Sequence, residues 1–461
     1  MAKIFVDCTY TLATRGDRGI ARVVRNIVRQ ARGHPNVSPV VFARGAFRVV
    51  AEQELSSQCS SDAREHWFAA RLVRSCWTLL VMIASVLPPA LGRRLLAKTV
   101  YNKRLGPQTK FYLRCVGAVG HLDEGERSVA SSDTSAAFVP GDVLFLPDAS
   151  WNVDCDAFLV RLCEKGVRIV LLCHDLLPLT HKHLCSDPED VFSQWLCRWL
   201  PQAHGVICNS RSTRRQLLRF VNIVGIPLRA DCWIESCPLG GDLEGPAAGV
   251  CSAGPLPVGS LRTAKSDRLP GDGVEIHAAM AMDEPYYLTV GAIEPRKNHA
   301  LLLQAFELFW RGGGKARTVW VGRWTMDAEP LRRQVMSNGA VGRRLVALQG
   351  VSDAALAALY RHARAAIFPS LGEGFGLPLA EALFHGCPVL ASDIPAHREV
   401  CGDRAIYFDP NDALSLASML AELERGERVL APVVAGEVPS WEQSVTRMFE
   451  LIGQHCDGAA R

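Results

Sequence analysis

Short apolar runs alternating with segments of helical spacing constrain this chain more than any other feature, because that alternation builds parallel α/β sheets. Ile4-Phe5-Val6 reads as a first strand, and Ile20, Val23, Val24, Ile27, Val28 and Ala31 then give one helical apolar face. Residues 143–146, 169–172 and 205–208 read as further strands. Between 245 and 273 the pattern stops, and six glycines and four prolines fall within 29 residues. Such a stretch is a linker or a surface insertion beside one. The alternation then restarts, with strands at 286–290, 318–321, 365–368, 389–391 and 405–408. Helices are expected at 300–310, at 356–362 and from near Pro378. Two doubly wound α/β domains facing across a cleft are the expected architecture, with no short repeat. The first would span 1–275, with an insertion at about 50–135 and a Gly/Pro-rich linker at about 245–275. The second would span 276–438.

The 461 residues carry 51 Lys+Arg against 47 Asp+Glu, a net charge of +4 that is unevenly placed. Residues 64–114 hold ten basic side chains and one acid, Glu65, so the rest of the chain is mildly acidic. General basicity would suggest a nucleic-acid partner; one local basic segment does not, and none is expected. The uncharged stretch 75–92 is broken by Pro88-Pro89 and is too short to cross a bilayer, which needs about 20 residues. Flanked by Arg71, Arg74, Arg93, Arg94 and Lys98, it suits a helix lying in an anionic membrane surface, the alternative being a buried helical hairpin whose arginines are solvated. The 16 cysteines show no Cys-x-x-Cys spacing, and the N-terminus lacks the apolar core of a signal peptide. Reduced structural thiols in a cytoplasm are expected.

Four clusters carry chemistry. The strongest is the run 369–381, where a strand ends in the loop Gly372-Glu373-Gly374-Phe375-Gly376 and Pro378 suits the first turn of a helix. Backbone N–H groups of Gly374, Phe375 and Gly376 would face the cleft at a helix N-terminus, which favours anions. Glu373 and Glu381, eight positions apart, could meet different parts of one ligand. The second cluster is 290–298, where Arg296 and Lys297 follow a strand and Asn298 is placed as a helix N-cap. A guanidinium fork beside an ammonium suits a diphosphate. The third is the loop 14–22, whose Gly16 and Gly19 let backbone approach a ligand. The fourth is His174-Asp175 at the carboxyl end of a strand, where open α/β sheets bind ligands. His181 and His183 read as surface residues.

Taken together, these residues resemble the retaining GT-B glycosyltransferases, family 4, of the bacterial polysaccharide-assembly, mannosyltransferase-like type. The resemblance rests on Arg18-Gly19-Ile20-Ala21-Arg22, His174 to Leu179, Asn209 to Thr213, Pro238 to Asp242, Gly291 to Asn298, and the Glu-x7-Glu motif from Glu373 to Glu381. It implies two Rossmann-like domains, with 439–461 including a final helix that crosses back to the first. It also implies transfer of a sugar from a nucleotide diphosphate sugar with retained configuration, without metal or other cofactor. Arg296 and Lys297 would hold the diphosphate and Glu381 the ribose. Glu373 and the Gly374-Phe375-Gly376 backbone would contact donor sugar or phosphate, and His174 would bond the sugar near the reacting centre. The Gly16-to-Gly19 loop would close over the phosphates. GDP-mannose leads among donors, with UDP-sugars next, and the acceptor would be a lipid-linked surface glycan at the cytoplasmic face of an inner membrane. With no second carboxylate in the first domain's motifs, same-face displacement is preferred to a covalent intermediate. A catalytically inactive assembly partner and a nucleotide-sugar epimerase are the alternatives.

Overall fold

The computed structural model describes residues 2–14, 19–43, 45–50, 136–184, 191–243 and 285–457. The insertion with its basic segment, the linker at 245–275 and residues 15–18 of the glycine loop lie outside the described residues.

The first sheet contains β1 (Ile4–Asp7), β2 (Val37–Ala43), β3 (Ala46–Val49), β4 (Val143–Leu146), β5 (Arg168–Cys173), β6 (Gly205–Cys208) and β7 (Trp233–Ser236), in the order β3-β2-β1-β4-β5-β6-β7. All its pairings are parallel except β2 with β3. The second sheet contains β8 (Tyr286–Val290), β9 (Arg317–Val321), β10 (Leu345–Leu348), β11 (Ala365–Phe368), β12 (Val389–Ser392) and β13 (Ala405–Phe408), all parallel, in the order β10-β9-β8-β11-β12-β13. Both sheets therefore reverse direction once, between β1 and β4 and between β8 and β11. At such a switch point the adjoining loops diverge and leave a crevice.

The central strands are apolar throughout because both faces are covered. Along β4, Val143 and Phe145 enter one core cluster while Leu144 and Leu146 enter another. β8 and β9 divide in the same way, with Leu288 and Val319 on one side and Tyr287 and Trp320 on the other. The strands read from the sequence are all present. Those not read have physical reasons: Pro39 interrupts β2 but is accommodated on that strand, where its carbonyl accepts from Val50 N at 3.0 Å. β7 and β10 are short strands at the sheet edges.

Seven helices matter for the cleft: α1 (Ile20–Ala31), α2 (Arg211–Val224), α3 (His299–Arg311), α4 (Asp353–His362), α5 (Leu377–Phe384), α6 (Pro395–Cys401) and α7 (Trp441–Asp457). α7 follows the second domain but packs on the first. Val445, Met448 and Ile452 join the same buried cluster as Val23, Val24 and Ile27 of α1. His455 stacks on Trp233 at 4.6 Å, and Ser444 Oγ donates to Pro238 O at 2.6 Å. Trp441 opens the helix at 1% exposure, and its N–H donates to Asp242.

Among the described residues, no helix is long and apolar enough to cross a membrane. Cys8, Cys155, Cys173, Cys208, Cys237, Cys387, Cys401 and Cys456 are buried. Burial raises the Cys387 and Cys401 thiols to about 12, so they are uncharged packing groups.

Because Trp441 is the largest of the buried side chains that hold α7, Trp441→Ala should cost about 3–5 kcal/mol. The urea midpoint of the purified chain checks this, and an unchanged midpoint would show that Trp441 does not hold α7.

Candidate active site at the domain cleft

The loops leaving β8 and β11, which flank the second sheet's switch point, bring two sequence clusters into contact. Arg296 Nη1 lies 2.7 Å from Glu373 Oε2 and 2.9 Å from Gly372 O. Lys297 Nζ bonds Glu373 Oε1 at 2.5 Å, and Ser370 Oγ donates to the same oxygen at 2.7 Å. Arg296 Nη2 lies 2.6 Å from Glu294 Oε1. Burial alone would push the Glu373 carboxyl up, but Arg296 and Lys297 overcome it and hold the group well below the usual carboxylate range. Glu373 is thus a permanent anion that orients both cations, a role the sequence reading did not contain.

The same loop reaches the first domain. Gly374 packs so closely on His174 that a Cβ there would stand 1.9 Å from His174 O, so only glycine fits. Ser210 and Thr213 hydroxyls, at the start of α2, donate to Gly374 O at 2.6 and 3.0 Å. Glu399 of α6 caps α2 from the second domain, accepting from Arg211 N at 2.6 Å and Ser212 N at 2.7 Å. Phe375 is buried, and Gly376 takes φ 95° as the N-cap of α5, with Pro378 inside the first turn. Glu381 follows one turn later. Its Oε1 accepts from Arg22 of α1 at 2.6 Å, and its Oε2 lies 3.3 Å from the Tyr360 hydroxyl. Burial raises the Glu381 carboxyl above its ordinary value even though Arg22 pulls it down.

His174 is buried, with Nε2 2.7 Å from Pro147 O. A carbonyl only accepts, so Nε2 carries the proton and Nδ1 is left as an acceptor. Burial lowers the imidazole below its ordinary value, which keeps it neutral. Nε2 is therefore already used, and Nδ1 is the ring nitrogen that can accept from a ligand. Gly19 is the N-cap of α1 at φ 59°.

Two sequence expectations change. Asn298 does occupy the N-cap position of α3, but in a left-handed conformation with no side-chain cap; its amide donates instead to Pro410 O at 2.8 Å. His181 is half-buried rather than a surface residue, with its ring 3.9 Å from where a Gly372 Cβ would stand.

The first sheet's switch point holds acids that the motifs did not reveal. Asp7 ends β1 and Asp148 follows β4, each 1% exposed. Thr9 N and Ser150 Oγ donate to Asp7 at 3.0 and 2.9 Å; Thr11 N and Oγ1 donate to Asp148 at 2.7 and 2.8 Å. Burial, then the charge of Asp7, raises Asp148 to about 7. The pair titrates as a unit. Both carboxyls are walled in by these donors and present no face to the cleft. Only the rule that ligands gather at switch points could have flagged them.

Comparison with known proteins gives the class. The model described as "Glycosyl transferases group 1" matches residues 284–425, so the second domain is a group 1 glycosyltransferase domain, and the two-domain architecture is of the GT-B class. Sucrose-phosphate synthase from Thermosynechococcus elongatus superposes with TM-score 0.57 at 15% identity, covering 98% of this chain and 99% of that one. Anabaena HepE in complex with UDP gives 0.54 at 14% identity, covering 98% and 100%.

Among curated relatives, a serotype-specific mannosyltransferase WbdA of Escherichia coli is 32% identical over 299 residues, covering 63% of this chain and 34% of that protein. The O-antigen chain mannosyltransferase RfbU of Salmonella typhimurium is 31% identical over 150 residues, covering 31% and 39%. The chain spans about a third of the length of the curated relatives it matches first.

A buried acid with a raised pKa keeps its proton in the folded state at pH values where the unfolded chain has lost it. Stability therefore falls as pH rises from the unfolded value near 3.8 through about 7. Asp148→Asn should remove that loss. Its stability relative to the parent should rise between pH 5 and pH 7 by up to about 1.4 kcal/mol per pH unit. Urea titrations across that range check it, and a constant difference contradicts the raised Asp148 carboxyl.

Proposed function

We propose that the protein is a retaining glycosyltransferase that moves a sugar, mannose from GDP-mannose in the first instance, onto a growing surface polysaccharide. The observation that carries this reading is the meeting of Arg296, Lys297 and Glu373 at the switch point of the second sheet, with the adjoining Gly374 packed against His174 of the first. Two fixed cations at the carboxyl ends of parallel strands suit a departing diphosphate. Glu381, a turn into α5, suits a vicinal diol, because a carboxylate accepts from two hydroxyls at once. That is the ribose of a nucleotide. The relatives' names, mannosyltransferases of serotype and O-antigen chains, favour mannose and a polysaccharide acceptor.

In the step we propose, the bond from the sugar's anomeric carbon to the diphosphate oxygen breaks, and the acceptor hydroxyl bonds to that carbon on the same face. The acceptor's proton passes to the departing phosphate, so the protein need not supply a base. Asp7 and Asp148 are hydrogen-bonded and 1% exposed, so neither is offered to the cleft as the nucleophile of a covalent route. Arg296 and Lys297 stabilise the leaving anion without a metal in the scheme. His174 Nδ1 accepts a hydrogen bond from the sugar, and the Gly374–Gly376 backbone faces the phosphates.

A lipid-linked acceptor at the cytoplasmic membrane face completes the reading. The ten basic residues of 64–114, outside the described residues, would supply the attraction to anionic lipid.

Purified protein given nucleotide sugars should release nucleoside diphosphate slowly, and faster with acceptor. Lys297→Ala should lower kcat by roughly 10²–10³, the scale of one removed charge-stabilising group. Glu381→Ala should mainly raise the donor KM. Failure to release from every common nucleotide sugar would sink the reading. Separately, reversing Arg93 and Arg94 to Glu should weaken flotation with anionic vesicles and leave neutral vesicles unaffected; unchanged flotation removes the membrane role.

A further inference from the structure

One interdomain ion pair sits on the residue that the donor needs. Arg22 projects from α1 of the first domain into the second, where Nη1 bonds Glu381 Oε1 and Nη2 bonds Asp353 at the start of α4. Side-chain exposure is 16% for Arg22, 3% for Glu381 and 26% for Asp353. With Tyr360 beside Oε2, both oxygens of Glu381 have neighbours, and one neighbour belongs to the opposite domain. α1 is well anchored behind Arg22: Val23, Val24 and Ile27 are buried, and Asn26 Nδ2 donates to Arg22 O at 3.0 Å. At 3% exposure and with the Arg22 guanidinium across Oε1, Glu381 offers no open face to an incoming diol.

We propose that Arg22 gates nucleoside entry: its guanidinium occupies Glu381 in the donor-free protein and exchanges with the ribose diol of an incoming nucleoside diphosphate. This rests on the reading of Glu381 as the ribose acceptor. The fork makes the exchange a half-release. Nη2 keeps Asp353 while Nη1 gives up Glu381, so the guanidinium is never left without a partner and the domains stay tethered. A lysine could not do this, because an ammonium lacks the planar fork that spans two carboxylates. While Arg22 holds Glu381, apparent nucleotide affinity falls in proportion to the fraction of protein in which Glu381 is open.

Calorimetric titration of the full chain with GDP, with UDP and with their 2′,3′-dideoxy forms tests this. Arg22→Gln and Arg22→Ala should bind the preferred ribonucleotide about threefold or more tighter than the parent, with no gain for the dideoxy form. Asp353→Asn should bind it more weakly, because Arg22 then has no second partner to fall back on. If folded Arg22 variants, with a parent-like melting midpoint, bind no tighter, or gain equally for the dideoxy form, the gate is wrong while the donor site stands. If neither parent nor variant binds any of the four nucleotides, the donor-site reading fails and the gate falls with it.

Discussion

The charge on Glu373 is the constraint on which the rest of the cleft depends. Arg296 and Lys297 are each less than a fifth exposed. Unpaired charges there would be costly. Glu373 offsets that cost by bridging both, and Ser370 fixes its remaining direction. The loop from Ser370 to Gly376 is thereby pinned to the loop after β8. With the loop fixed, Gly374 lands on His174, Pro378 starts α5, and Glu381 falls at the opposite domain's Arg22. One buried anion thus anchors the loop that carries Gly374 and leads to Glu381.

The two sheets solve the same topological problem with opposite electrostatics. At the second switch point, carboxylates and cations alternate, and Glu373 stays ionised. At the first, two acids meet with Thr and Ser donors but, among the described residues, no cation bonded to either, and the charge is relieved by keeping a proton. The first arrangement can exchange partners with an anionic ligand. The second is closed, and it holds the ends of β1 and β4 in register behind Pro147, whose carbonyl fixes the tautomer of His174.

Local features were legible in the sequence. The runs at Tyr286–Val290 and Ala365–Phe368, the loop glycines and Pro378 all fall where expected, because hydrophobic period and turn chemistry act over a few residues. Partnerships were not. Arg22 meets Glu381 across 359 positions, and Thr11 meets Asp148 across 137. Nothing in either neighbourhood announces the other. Asn298 shows the same limit at short range: its amide is an N-cap type by chemistry, but Pro410 O from a distant loop claims it.

The interface between the domains divides by chemistry, and the division says which contacts can change. α7 is bound to the first domain by packed apolar side chains, Val445, Met448 and Ile452 among them; such contacts have no alternative partner in water. The cleft contacts are polar: Gly374 O with Ser210 and Thr213, Glu399 with the α2 backbone, Arg22 with Glu381. Water can replace each of these at small net cost. Opening the cleft would therefore keep α7 on the first domain while these polar bonds exchange with water. An anion entering the cleft would meet Arg296 and Lys297 already oriented by Glu373.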